Sequence, residues 1–99
     1  MKNTLTRHSV ILIAKEQLSC DLGGEVAILN LKNGVYYGLD PVGARIWNLI
    51  QEPRRVSAVW DALVKEYDVE PNRCERDLLA FLHDLAAEGL VEVQDETAA

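Results

Sequence analysis

The stretch that decides the fold is LKNGVYYGLDPVGARIW, residues 31–47, where a strand pattern gives way to a helix pattern. Residues 32–34 are Lys-Asn-Gly, and an Asn-Gly pair accepts the positive φ angles of a tight primed turn. Val35 to Leu39 is therefore predicted to fold back as a hairpin strand. Asp40-Pro41 predicts a helix start, since the Asp oxygen can accept free N–H groups and proline fits the first helical position.

Two apolar segments before this turn are predicted to complete a sheet. Ser9 to Ala14 and Glu25 to Leu31 are rich in β-branched and aliphatic side chains, which favour strands. An Asp and two glycines within residues 21–24 supply a turn ahead of the second segment. The three segments predict an antiparallel meander, with Val35 to Leu39 at one edge of the sheet.

Three amphipathic helices are predicted after the sheet. The first begins at Asp40-Pro41 and stops at Glu52-Pro53, because proline disfavours helix at the residue before it. The second, Val56 to Tyr67, follows the i, i+3, i+4, i+7 spacing, and Asp68 closes it. The third begins at Glu70-Pro71 and ends at Gly89, which suits a left-handed cap. Leu90 to Gln94 is predicted to add a short final strand.

This order of elements predicts an α+β fold that is winged helix-turn-helix-like, with an N-terminal three-stranded antiparallel sheet followed by three helices. A chain of 99 residues has room for one hydrophobic core, so we expect a single domain over residues 1–99. Its ordered core is expected at about residues 8–94, before a polar tail. The hydrophobic fraction of 48% excludes a disordered chain.

The sequence indicates a cytoplasmic protein that does not enter membranes. No apolar run approaches the roughly 18–20 residues of a membrane span. The N-terminus lacks the basic, apolar and small-residue pattern of a signal peptide. Cys20 and Cys74 are far apart in the sequence, as expected for isolated thiols in a reducing compartment.

No catalytic, metal or cofactor site is predicted. His8 and His83 are the only histidines, and neither has a partner at metal-ligand spacing. The six glycines form no phosphate-binding pattern. Asp77 and Asp84 share a helix face, but acid–base catalysis would also need an enclosing pocket. We therefore expect a protein that is not an enzyme.

Charge distinguishes two functions that share this architecture. Residues 61–99 hold eleven Asp and Glu against three Lys and Arg, within a chain of formal charge −6. A winged-helix DNA-binding regulator needs cations on its recognition helix, whereas the predicted third helix is net negative. The pair Arg54-Arg55 lies in a connecting turn. We favour a binding module without a nucleic-acid partner, and the DNA-binding regulator is the alternative.

Val35 to Leu39 is the predicted binding element. An edge strand exposes unpaired N–H and C=O groups to which a peptide strand can add. Gly38 supports this reading, since glycine inside a strand often marks the close approach of another backbone. Tyr36 and Tyr37 also have an ordinary interpretation, with one ring in the core and one on the surface. The strand pattern does not decide which tyrosine would face a peptide.

Five separated blocks match a known family in order, namely Val35 to Asp40, Val42 to Trp47, Tyr67 to Val69, Asp77 to Leu82 and Glu88 to Val91. Together they resemble the PqqD family, most closely its small stand-alone members encoded with lasso-peptide biosynthesis enzymes. The resemblance implies a recognition element for ribosomally synthesised and post-translationally modified peptides (RiPPs), which binds the leader segment of a precursor and has no catalytic activity. It implies a separate leader peptidase, cysteine-protease or transglutaminase-like, as a partner, followed by a macrocyclising cyclase. The resemblance spans roughly residues 8–94, which is nearly the whole chain.

The resemblance also implies where the leader binds. Family leaders add as an antiparallel strand and lie in a cleft between the third strand and the third helix. On the helix side, Asp77 and Asp84 would attract lysine and arginine side chains of the leader. The opposite helix flank stays open as an alternative, namely Leu79, His83 and Ala86. The implied lining is Val35, Tyr36, Tyr37, Gly38 and Leu39 on the strand, and Arg73, Asp77, Ala80 and Asp84 on the helix, with Phe81 at the floor.

Overall fold

The computed structural model describes residues 5–94. Within them, three helices and two three-stranded antiparallel sheets form an α+β fold, which confirms the predicted class. The strands are β1 (Val10–Ile13), β2 (Gln17–Asp21), β3 (Val26–Asn30), β4 (Tyr36–Leu39), β5 (Arg54–Arg55) and β6 (Val91–Gln94). The helices are α1 (Pro41–Leu49), α2 (Val56–Glu66) and α3 (Pro71–Ala87).

The prediction assigned the wrong first strand to the meander. The meander has the order β2-β3-β4, whereas β1 lies in the other sheet, between β5 and β6. β2 was missed because four of its five residues are exposed, so neither face carries the alternating burial that marks a strand. Arg54 and Arg55, expected in a turn, pair with β1 instead. The predicted polar tail from Asp95 lies outside the described residues.

The hairpin between β3 and β4 is wider than the predicted primed turn. Gly34 has a φ of +72°, but Asn33 does not have a positive φ, so a two-residue turn of that type is wrong. Gly34 N–H donates to Asn30 O at 2.8 Å, and Asn30 N–H donates to Val35 O at 2.9 Å. The loop therefore comprises residues 31–34, and the Asn33 side chain accepts the Val35 N–H.

The predicted starts of α1 and α3 and the predicted end of α3 are confirmed. Asp40 Oδ1 accepts the Gly43 N–H at 2.8 Å, and the Glu70 carboxylate accepts N–H groups of the first turn of α3. Gly89 has a φ of +77°. Its N–H donates to Ala86 O, and the Leu90 N–H donates to Leu85 O, so both bonds cap the last turn of the helix. α2 ends at Glu66, one residue earlier than predicted.

The core lies between the two sheets and the three helices. Trp47 of α1, Ile11 of β1, Ile28 of β3 and Leu82 of α3 are at most 1% exposed, so both sheets and two helices contribute to one cluster. The meander contacts α1 through β3 and β4, and β4 lies at one edge of its sheet. Among the described residues, no helix is long and apolar enough to cross a membrane.

Candidate peptide-binding site

The open edge of β4 presents the backbone of Tyr36 and Gly38. Val35 receives a hydrogen bond from Asn30 on β3, and residues of an antiparallel strand alternate between the two neighbouring sides. Tyr37 and Leu39 share the parity of Val35, so their N–H and C=O groups point to β3. The corresponding groups of Tyr36 and Gly38 point away from β3, because β4 is the last strand of this sheet.

The two tyrosines of β4 point to opposite faces of the sheet. Tyr37 is half-buried against the core, and the Leu39 side chain on the same face is 9% exposed. Tyr36 lies on the outer face and is 71% exposed. The interpretation of one core-facing ring and one surface ring therefore describes the strand, while the free backbone groups of its edge belong to Tyr36 and Gly38.

A cleft of about 650 Å³ lies beside the end of β4. Its walls are the β4–α1 junction, the loop between α2 and α3, and one face of α3. Five residues implied by the family resemblance line it: Gly38, Leu39, Arg73, Asp77 and Phe81. The other lining residues are Asp40, Val42, Gly43, Ile46, Leu63, Tyr67, Asp68, Val69, Glu70, Cys74 and Leu78.

Gly43 determines how closely Phe81 approaches α1. A Cβ atom on Gly43 would lie 3.2 Å from Phe81 Cζ and 3.3 Å from Leu39 Cβ, which is tighter than ordinary contact. Because glycine has no Cβ, the aromatic ring can rest on the first turn of α1 and leave space above it. Sequence reasoning missed this role, although a glycine inside a helix, where alanine is favoured by about 1 kcal/mol, was a signal.

The rim of the cleft is acidic. Asp40, Asp68, Glu70 and Asp77 line it, against the single cation Arg73 among its lining residues. Arg73 Nε lies 3.7 Å from Asp77 Oδ2, and both side chains are more than 70% exposed, so this pair contributes little to stability. Asp68 belongs to a block that carries the family resemblance, but that block had not been assigned to the site.

The remaining implied residues do not line the cleft. On the strand these are Val35, Tyr36 and Tyr37, and on α3 they are the exposed residues Ala80 and Asp84. The alternative flank of α3 faces elsewhere, because His83 and Ala86 line a separate cavity with Leu5 and β6, and Leu79 packs against the core. The α3 residues beside β4 are therefore those on the Asp77–Phe81 side.

One residue ties the carboxyl end of α3 to the β3–β4 hairpin. The Tyr37 hydroxyl donates to Glu88 Oε1 at 2.6 Å, and Asn30 Nδ2 donates to the Glu88 carbonyl at 2.8 Å. The hydrogen bond to the Glu88 carboxylate raises the pKa of the Tyr37 phenol above its usual value. The Tyr37 side chain therefore contacts the end of α3. The open backbone edge, at which the family resemblance implies leader binding, is formed by its neighbours Tyr36 and Gly38.

Cys74 is a half-buried thiol in the wall of the cleft. Burial raises the pKa of this thiol, and the nearby Asp77 carboxylate raises it further. The other cysteine, Cys20, is exposed on β2. Within residues 5–94 no group of three or more His, Cys, Asp or Glu is arranged to hold a metal ion.

Comparison with known proteins identifies the family. The family model described as coenzyme PQQ synthesis protein D (PqqD) matches residues 25–91. The structure of TbiB1 in complex with the TbiA(beta) leader peptide is 42% identical, with a TM-score of 0.79 over 82% of this chain and 94% of that one. A lasso peptide synthetase B1 complexed with a leader peptide is 23% identical, with a TM-score of 0.75 over 83% and 96%. No curated protein matches the chain. The chain belongs to the PqqD family of RiPP recognition elements, which are non-catalytic binding domains.

Proposed function

We propose that this protein binds the leader segment of a ribosomally made precursor peptide as a strand added to β4. The observation that carries the proposal is the free backbone edge of Tyr36 and Gly38 beside an apolar-floored cleft. TbiB1, at 42% identity, is a protein seen in complex with a leader peptide. The proposed site comprises this edge, the cleft residues Arg73, Asp77 and Phe81, and the exposed α3 residues Ala80 and Asp84.

The proposal extends to the biosynthetic setting. The lasso precursor is proposed from the sequence blocks, which resemble the stand-alone PqqD-family members encoded with lasso-peptide biosynthesis enzymes. The partners are then a cysteine-protease or transglutaminase-like leader peptidase and a macrocyclising cyclase, to which the protein presents the bound peptide. We propose that it acts in the cytoplasm as a single winged helix-turn-helix-like domain.

The energetics suit a reversible carrier. Pairing along β4 gives register and modest affinity, while each apolar leader side chain fully buried in the cleft contributes about 1.5–3 kcal/mol. Ordering a disordered leader costs about 2–5 kcal/mol. Micromolar binding corresponds to about 8 kcal/mol, so two or three anchors must be combined with the pairing along β4 to reach it.

A titration separates this function from its rivals. The protein is titrated by calorimetry with the leader peptide encoded beside it and with a random duplex DNA. We expect saturable binding of the leader and none of DNA, because α3 and its cap residue carry Glu75, Asp77, Asp84 and Glu88 against two arginines. DNA binding alone would instead support the regulator. Binding of neither ligand, with capture of the peptidase, would indicate an interaction subunit.

Cys74 reports whether the leader occupies the cleft. In a Cys20→Ser variant we expect slow alkylation of Cys74 at pH 8, because its raised pKa keeps the sulfur as the unreactive thiol at that pH. The rate should rise as the pH passes upward through that pKa. Saturating leader should reduce the rate further, measured by mass spectrometry with iodoacetamide. An unchanged rate at saturation would place the leader outside the cleft.

A further inference from the structure

The carboxyl end of α3 is attached to both strands of the β3–β4 hairpin through Glu88. Asn30, at the end of β3, donates its side-chain amide to the Glu88 carbonyl. Tyr37, on β4, donates its hydroxyl to the Glu88 carboxylate. Two donors from adjacent strands therefore meet one residue that caps the helix. This triad of Asn30, Tyr37 and Glu88 is called the hairpin bridge below.

The buried amide makes the hairpin bridge well defined. Asn30 is 4% exposed, and its Oδ1 accepts the Lys32 N–H at 2.8 Å while its Nδ2 reaches Glu88. Both ends of the amide are therefore hydrogen-bonded, as a buried polar group requires. Gly89, with a φ of +77°, turns the chain directly after Glu88. Two hydrogen bonds therefore join the helix end to the part of the hairpin that lies next to its loop.

We propose that Glu88 is a positioning residue for leader binding, because the hairpin bridge joins β4 to the carboxyl end of α3 next to Gly38 and so limits how far the strand and the helix can separate. This inference rests on the proposed function. Tyr37 directly precedes Gly38, whose backbone lies at the open edge. Phe81 lies seven residues before Glu88 and thus on the same face of α3. The bridge therefore restricts the position of the Gly38 edge relative to Phe81 at the cleft floor.

Pre-organisation is the physical reason for this role. A cleft whose walls already stand at the bound separation loses less conformational freedom when a peptide enters, so more of the contact energy appears as affinity. Without the bridge, the helix end and the hairpin would be joined only through the packed core, and the bound strand would dissociate faster. The bridge itself needs no contact with the leader.

The test combines two single variants and their double variant with a third, conservative single variant. Tyr37→Phe removes the donor, Glu88→Ala removes the acceptor, and Glu88→Gln keeps an acceptor oxygen. We expect Tyr37→Phe and Glu88→Ala each to weaken leader binding about threefold to tenfold, mainly through faster dissociation, and the double variant to lose no more than either single one. Glu88→Gln should retain most of the affinity. Calorimetry gives the affinities and surface plasmon resonance the rates.

A matched control lies on the other side of the hairpin. Glu16→Ala also removes an exposed carboxylate with one side-chain partner, since Glu16 lies 3.5 Å from Lys32 Nζ. We expect this variant to bind the leader like the wild type. Unfolding midpoints of all variants are measured by circular dichroism, since a purely structural bond would lower the midpoint without coupling the two residues in leader affinity.

Two results would overturn the inference. One is wild-type leader affinity in folded Glu88→Ala and Tyr37→Phe variants, and the other is additive losses, which would mean that each side chain meets the leader separately. Both leave the proposed function intact as long as Gly38→Pro loses binding. Failure of the wild-type protein to bind the leader would instead contradict the proposed function itself.

Discussion

Gly38→Pro is expected to abolish leader binding while leaving the sheet intact. The Gly38 N–H points away from β3, so proline removes no hydrogen bond of the existing sheet, and edge strands tolerate proline at such positions. The bound leader would lose the Gly38 N–H as a donor, and the leader carbonyl facing it would be buried without a partner. This costs roughly 2–4 kcal/mol, or about 30-fold or more in affinity. Calorimetry with the leader measures the loss, and circular dichroism checks the fold.

Two controls isolate the missing N–H at the edge of β4. Gly38→Ala keeps that donor, and a Cβ there would meet no atom within 4 Å, so this variant should bind nearly as well as the wild type. Ser19→Pro places the same proline on β2, at the opposite edge of the same sheet, and should also bind. Full affinity in a folded Gly38→Pro variant would refute strand addition at β4.

Gly43→Leu is expected to weaken leader binding about tenfold to a hundredfold by filling the cleft. Even a Cβ at this position would press on Phe81 and Leu39, so a leucine must project into the space above the Phe81 ring. It would exclude one apolar leader side chain, which is worth about 1.5–3 kcal/mol when buried. Leucine also favours a helix over glycine by a little less than about 1 kcal/mol. This gain in stability offsets part of the cost of crowding.

Stability and binding should thus respond differently at Gly43. Calorimetry gives the leader affinity, and urea unfolding should show a change in the free energy of unfolding of no more than about 1–2 kcal/mol. Gly43→Ala, with a smaller addition, should show the same trend to a lesser degree. Asn48→Leu adds the same side chain at an exposed position of α1 that does not line the cleft, and it should bind normally. Equal affinities for Gly43→Leu and Asn48→Leu would place the leader elsewhere.

Local signals in the sequence predicted the elements that have strong caps or strong periodicity. Asp40-Pro41 and Glu70-Pro71 placed the starts of α1 and α3, because capping depends on residues within one turn. The 3.6-residue period of α2 identified it to within one residue, since one face packs on the core. β2 was missed for the converse reason, as an edge strand exposed on both faces carries no period.

The site was predictable only in part. Gly38, Leu39, Arg73, Asp77 and Phe81 were named from the family resemblance, and they line the cleft. Ala80 and Asp84 lie next to them on α3 but do not line the cleft, because the exposed face of a helix is wider than the part that borders a cleft.

By itself, the sequence determined the α+β class, the helix starts, the edge strand Val35 to Leu39 and the acidic third helix, because these follow from composition and from contacts between near neighbours. Tertiary structure alone decided that β1 pairs with β5 and β6, and that Tyr36 and Gly38 present the free backbone groups. It also decided that the Phe81 ring packs on Gly43 and that the Tyr37 hydroxyl donates to Glu88. These are contacts between distant parts of the chain, and they depend on how the elements pack together rather than on any local pattern.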